Sequence, residues 1–137
     1  MKQIKGGCLC GSVRYESADE PVMSAVCHCT HCQKQSGSAF STNVVIPAAQ
    51  FNLTATSLAT FHDVGDSGLP VKRHFCGQCG SSIYTELAAN PGVVVIKAGT
   101  LDDSSWVKPQ VHMWRGSAQA WVPPPSDALC FDGNPGA

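Results

Sequence analysis

Apolar positions in this chain come in short runs rich in Val, Ile, Phe and Thr, set between turn residues, without the three-to-four spacing of an amphipathic helix. The runs predict strands over residues 9–16, 22–26, 41–46, 59–64, 72–75, 82–87, 93–98 and 111–115. Ile46-Pro47, Asp66-Ser67-Gly68, Asn90-Pro91-Gly92 and Arg115-Gly116 punctuate them. Strands this short, about ten residues apart, predict antiparallel sheets rather than βαβ units. Residues 30–38 alone read as helix, a turn or two ended by Gly37. Pro123-Pro124-Pro125, followed by Asp132-Gly133-Asn134-Pro135-Gly136, predicts an extended tail that wraps the domain or frays. The division is therefore one domain over residues 1–122 and a Pro/Gly-rich tail over 123–137.

Composition narrows the function classes. At 137 residues one domain is expected, and 43% hydrophobic content excludes a disordered chain. Nine Lys and Arg against 10 Asp and Glu give no basic stripe, which argues against nucleic acid and membrane-surface partners. The N-terminus has no apolar stretch suited to a signal peptide, and the longest apolar run, residues 93–96, is too short to span a bilayer. The expectation is a cytoplasmic protein with reduced thiols. There the 8 cysteines are metal ligands or catalytic groups rather than disulfides.

The cysteines fall in three groups and a singleton. Cys76-Gly77-Gln78-Cys79 places two sulfurs on a tight turn, the knuckle of a zinc ribbon. A redox reading of that motif needs a thioredoxin-like setting that this chain lacks. Cys8-Leu9-Cys10 is expected to begin a strand, with both sulfurs on one face and Leu9 directed into the core. Two and two make a Cys₄ site joining the start of the chain to its middle. Cys27-His28-Cys29-Thr30-His31-Cys32 packs three thiols and two imidazoles into six residues. Three thiolates fill three corners of a zinc tetrahedron, the plan of a catalytic site. Spacing leaves the fourth corner to Cys130, to His28 or His31, or open to a water or substrate thiol. Pairing one of Cys27, Cys29 or Cys32 with Cys76 and Cys79 is the other arrangement, and it leaves Cys8 and Cys10 unexplained.

Other side chains carry weaker signals. Lys34, Lys72, Arg73 and Arg115 could receive carboxylates, although solvation at the surface is the expected state of each. His62 and His74 read as structural. His112 and Trp114 share a face if the strand alternates through them, a face that lines the metal pocket or packs. Trp106 and Trp121 read as core or rim, and Asp102-Asp103 as a turn.

The motifs in order resemble the glutathione-dependent formaldehyde-activating enzymes and the related centromere protein V domains. The matching residues are Gly6-Gly7-Cys8-Leu9-Cys10-Gly11, Val13-Arg14-Tyr15, Cys27-His28-Cys29-Thr30-His31-Cys32-Gln33-Lys34 and Ser36-Gly37-Ser38-Ala39-Phe40. After them come Phe75-Cys76-Gly77-Gln78-Cys79-Gly80-Ser81, Ala98-Gly99-Thr100-Leu101-Asp102-Asp103, His112 and Trp121. The resemblance implies a mainly β fold, β-tent-like curled antiparallel sheets with a zinc ribbon and little helix. It implies two Zn²⁺ per chain: a structural zinc on Cys8, Cys10, Cys76 and Cys79, and an active-site zinc on Cys27, Cys29 and Cys32. It favours an open fourth position and places Cys130 outside the matched region. It implies a carbon–sulfur lyase activity, joining glutathione and formaldehyde as S-(hydroxymethyl)glutathione.

Three function classes follow. The first is a zinc-dependent enzyme that handles a glutathione-like thiol and a small aldehyde, with His28 or His31 giving the proton that the adduct oxygen needs. The second is a zinc-stabilised binding module without turnover. The third is a redox or metal-buffer protein, which needs free thiols of low pKa.

Overall fold

The computed structural model describes residues 4–18 and 20–135. Two sheets enclose the core. The smaller is built from β1 (Ile4–Gly7), β2 (Val13–Ser17) and a later strand, Phe51–Ala55. Its sequence signature is strict alternation: Val13, Tyr15 and Ser17 of β2 are buried, while Arg14 and Glu16 face solvent. Gly6 is required in β1, because a Cβ there would collide with the Thr100 carbonyl oxygen and the Tyr15 ring.

The larger sheet begins with β3 (Met23–Cys27). It is followed by the one α-helix among the described residues, α1 (Thr30–Ser36), and then by β4 (Ser41–Pro47). β5 (Phe51–Ala55) returns to the small sheet. β6 (Leu58–Val64), β7 (Pro70–Cys76), β8 (Ser82–Leu87), β9 (Val93–Lys97), β10 (Val111–Met113) and β11 (Leu129–Cys130) complete the large one. Its order is β11-β10-β3-β4-β9-β8-β7-β6. Pairing is antiparallel except at β10, whose neighbours β3 and β11 both run parallel to it. The mainly β class with little helix holds.

The core lies between the sheets. Ile4, Val13 and Tyr15 meet Val44, Ile46, Tyr84, Val94 and Ile96 there. Phe51 bridges them, its ring centroid 4.9 Å from that of Tyr84 and 5.8 Å from that of Tyr15.

The opposite face of the large sheet is polar, which positions the site. Register places Cys27 beside Ser41, Asn43 beside Lys97, Thr85 beside Val95, and Arg73 beside Thr85, all on that face. Asp63 lies on it too. The helix α1 covers this face: His31 bonds to Asp63, and Gln35 Nε2 donates to Ser82 Oγ at 2.6 Å.

Several expectations are corrected. The strand expected from residue 9 starts at Val13, because Cys8 to Gly11 form a tight turn closed by Gly11 N–H to Cys8 O (3.3 Å), with Gly11 at φ 85°. Leu9 stands at the tip of that turn, 89% exposed, and not in the core. β1, β5 and β11 escaped the sequence reading: β1 and β11 carry too few apolar positions to show a period, whereas the alternation of Phe51, Leu53 and Ala55 in β5 was a signal passed over. Trp114 does not share a strand face with His112: it sits beyond β10 at φ 60° in the left-handed region, its Nε1 donating to Asn134 Oδ1 at 2.8 Å. Within the tail, β11 pairs with β10, so Cys130 lies opposite His112.

Candidate metal centres and active site

Two turns build the first cluster. The Cys8–Gly11 turn joins β1 to β2, and the turn after β7 carries Cys76 and Cys79. Gly80 at φ 80° lets the second turn close, with Gly80 N–H to Cys76 O at 2.8 Å. A Cβ on Gly77 would meet the Ser57 carbonyl oxygen at 2.9 Å. The sulfurs of Cys8, Cys10, Cys76 and Cys79 all lie within 4.8 Å of one another. Cys8 and Cys10 are 3.6 Å apart, and Cys10 and Cys76 are 3.7 Å apart.

Hydroxyls and amides surround these sulfurs. Ser12 Oγ reaches Cys10 Sγ and Cys76 Sγ at 3.2 Å each, and Ser57 Oγ reaches Cys76 Sγ at 3.2 Å. Hydrogen bonds from Ser12 and Ser57 pull the Cys76 thiol down to about 5, with the Cys79 and Gln78 N–H groups adding to them. Ser81 similarly draws Cys79 to about 7. A soft donor set of four sulfurs fits Zn²⁺, with no donor missing.

The second cluster sits where β3 runs into α1. Cys27 ends the strand. Cys29 is the N-cap of α1, its sulfur accepting from Cys32 N–H at 3.2 Å. Cys32 is on the first turn, facing the sheet. Gly37 ends the helix at φ 65°, as expected. The Cys27, Cys29 and Cys32 sulfurs lie within 4.8 Å of one another. Three donors fit a zinc ion that keeps a position free. The Cys32 thiol is held well below its usual range, first by bonds from the Cys27 and Cys29 thiols and then by Ser41 and Lys97. Those same bonds, with burial, push Cys27 up. Negative charge thus collects on Cys32.

Cations face this charge. Arg73 was expected at the surface, yet it is 7% exposed, because β7 turns it onto the face beneath α1. Its Nε donates to Asp63 Oδ2 at 2.9 Å, and it also bonds toward Cys32. Burial raises the Asp63 carboxyl, but His31 and Arg73 outweigh it and hold the group at about 2. Lys97, Asn43 and Thr85 are the site residues that sequence reading passed over. Lys97 closes a hydrophobic Val-rich strand, and the parity of its position was the available signal.

The histidines separate. His31 is exposed, its Nδ1 2.8 Å from Asp63 Oδ2. His28 is fully buried, stacked on His112 with Nε2 3.1 Å from His112 Nδ1. Burial lowers both His28 and His112, and Arg115 adds to this, so the pair is neutral. Neither His28 nor His31 belongs to the three-sulfur cluster, and neither does the exposed Cys130. His74 is structural, as expected, bonded to Thr60 and Glu86 and stacked on Tyr84. Asp102 binds Arg14 across the turn.

A cleft of about 490 Å³ opens beside α1, with Gln33, Lys34, Ser38, Gln119 and Trp121 among its walls. Among the described residues no helix is long and apolar enough to cross a membrane.

Comparison with known proteins agrees with this architecture. A Rhodobacter sphaeroides protein of known crystal structure superposes with a TM-score of 0.57 at 19% identity, over 77% of this chain and 91% of that one. A Halomonas elongata protein, provisionally named a glutathione-dependent formaldehyde-activating enzyme, is 27% identical over 139 residues, covering 96% of this chain and 88% of its own length. Proteins of the same provisional name from Penicillium rubens and Emericella nidulans are 28% and 30% identical. The matched segments span 56% and 39% of those two fungal proteins, and 75% and 56% of this chain. Residues 3–117 match the model of the family described as glutathione-dependent formaldehyde-activating enzyme, and the chain belongs to that family.

Proposed function

We propose that this protein is a zinc-dependent enzyme of the carbon–sulfur lyase type, joining a glutathione-like thiol to formaldehyde or a similarly small aldehyde. The observation that carries the reading is the three-sulfur cluster of Cys27, Cys29 and Cys32, which has no fourth protein donor among the described residues and faces buried cations. Cys8, Cys10, Cys76 and Cys79 are assigned to a structural zinc that clamps two distant turns.

The reaction forms one C–S bond. The thiol sulfur attacks the carbonyl carbon, the thiol proton departs, and the former carbonyl oxygen takes up a proton. Zinc on Cys27, Cys29 and Cys32 would supply Lewis acidity, favouring thiolate over thiol near neutral pH. The chain's own residues do the rest. Arg73 and Lys97 set a positive field around the sulfurs, which favours an anionic nucleophile. Of the two histidines, His31 is the one to exchange protons with solvent. Asp63 holds its Nδ1, leaving Nε2 free, whereas His28 is enclosed with His112. Lys34 and Trp121, which line the cleft beside α1, are assigned to the charged peptide portion of the thiol. Because thiols add to formaldehyde readily without help, most of the benefit comes from holding the two reactants together. A reducing compartment such as the cytoplasm suits every thiol in the scheme.

The test combines stoichiometry with turnover. Protein purified without chelator should hold close to two zinc ions per chain by elemental analysis. It should bind glutathione, and it should accelerate S-(hydroxymethyl)glutathione formation, followed by exchange NMR, above the uncatalysed rate. Full zinc loading without thiol binding would overturn the reading in favour of a binding module.

A further inference from the structure

Lys97 ends β9 on the face covered by α1 and is only 9% exposed. Its ammonium donates to Asn43 Oδ1 at 2.9 Å, a neutral partner on the adjacent strand. No carboxylate pairs with it among the described ion pairs. A buried ammonium is costly unless anions lie near it. Register sets Lys97 on the same face as Cys27, where the three-sulfur cluster lies, and as Arg73, whose own charge is met by Asp63. With a divalent ion bound there, the Cys27, Cys29 and Cys32 thiolates would be the counter-ions of Lys97. A second observation marks the same patch: the Thr85 hydroxyl, opposite Arg73 and diagonal to Lys97 across β8 and β9, is buried without a hydrogen-bond partner.

We propose that Lys97 determines ligand specificity at the three-cysteine centre, making its free position selective for an anion, above all a thiolate, over a neutral ligand. The proposal rests on the reading of that centre as a zinc site that handles a thiol. Three thiolates around a divalent ion leave one net negative charge, which repels an incoming thiolate. Lys97 cancels that charge. The four-cysteine centre has no free position to tune, and hydroxyls of Ser12, Ser57 and Ser81 stand beside its sulfurs.

The experiment uses protein loaded with cobalt(II) in place of zinc, so that ligand binding is read from the visible absorption spectrum; the filled four-cysteine centre contributes a constant background. Glutathione and azide are the anionic probes and imidazole the neutral one. Wild type should bind both anions, and Lys97→Met should weaken them roughly tenfold or more while leaving imidazole unchanged. Lys97→Arg should retain most of the anion affinity. Equal loss for imidazole, or no loss at all, overturns the proposal. If azide but not glutathione binds wild type, and Lys97→Met weakens azide, the thiol reading fails and Lys97 stands. If glutathione binds wild type and Lys97→Met alike, the thiol reading stands and Lys97 fails. Should Lys97→Met not fold, wild type decides: imidazole binding as tight as azide overturns the proposal, and a clear preference for azide, kept in Lys97→Arg, supports it.

Discussion

Cys10 Sγ lies 3.7 Å from Cys76 Sγ although 66 residues separate them in the chain. The two turns also meet through Leu9 N–H, which donates to Ser81 Oγ at 3.1 Å, and a zinc ion on the four sulfurs would add to that link. Cys10→Ser is expected to reduce zinc from two ions to one per chain and to lower Tm by about 10 °C or more, since a structural zinc contributes a large share of the stability of a domain this size. Elemental analysis and calorimetry on the same preparation check both. An unchanged Tm with one zinc lost would show that the two turns hold without the ion.

Cys29 offers the opposite experiment. Its sulfur caps α1 by accepting from Cys32 N–H, a role that a serine hydroxyl also fills. Cys29→Ser should therefore leave stability within about 1 kcal/mol of wild type. It should nevertheless lose the second zinc and glutathione binding. Retained thiol affinity in this variant would remove the three-cysteine centre from the mechanism.

Ser12 lies among the sulfurs of the first cluster, 3.8 Å from Cys8 and 3.2 Å from both Cys10 and Cys76. With Ser57 it holds Cys76 at about 5. Removing the hydroxyl should let Cys76 rise and make protons better competitors for the sulfur. Ser12→Ala should then lose zinc to a chelator roughly tenfold more readily, with the loss growing as pH falls. Competition with a chromophoric chelator at pH 6 and pH 8 reads this directly, and equal retention at both values would exclude the role.

Tyr15 carries an alkaline signature. Burial pushes its hydroxyl up to about 12 from an ordinary 10. The O–H donates to Thr100 Oγ1 at 2.7 Å, and the Thr100 hydroxyl in turn donates to Lys97 O at 2.7 Å. Below pH 10 the group is protonated in both folded and unfolded chains, and its contribution is present in full. Between pH 10 and about 12 the unfolded chain ionises first, so stability falls as pH rises, by about 2 kcal/mol. Tyr15→Phe should be about 1 kcal/mol less stable than wild type at neutral pH, for want of the hydrogen bond, should close that gap above pH 10, and should be the more stable by about 1 kcal/mol near pH 12. Denaturant unfolding of both proteins across that range is the check. A gap that stays constant would place the ionisation elsewhere.

Much of the site was legible because its chemistry is local. Cys76 and Cys79, three apart around glycines, can make one kind of turn that serves an ion. Cys27, Cys29 and Cys32 are close in space almost regardless of fold, since a strand end and one helical turn span so few residues. The helix stop at Gly37 and eight of the eleven strands among the described residues followed from the same short-range rules, the turn residues and the apolar runs between them.

What the sequence could not determine depended on partners far along the chain. Leu9 was read as buried because alternation assumes that a strand continues, whereas the Cys8–Gly11 turn takes the backbone out of the strand and exposes it. Arg73 and Lys97 look like ordinary surface cations until register sets both on one side of the large sheet with α1 laid over them. Strand parity says only that such residues share a face; which face is covered is decided by the helix, and its packing is a tertiary fact. The gathering of sulfurs within each cysteine motif was thus written in local spacing, while the charge around them was decided by pairing across strands, where a shift of one residue would have turned every cation to the other side.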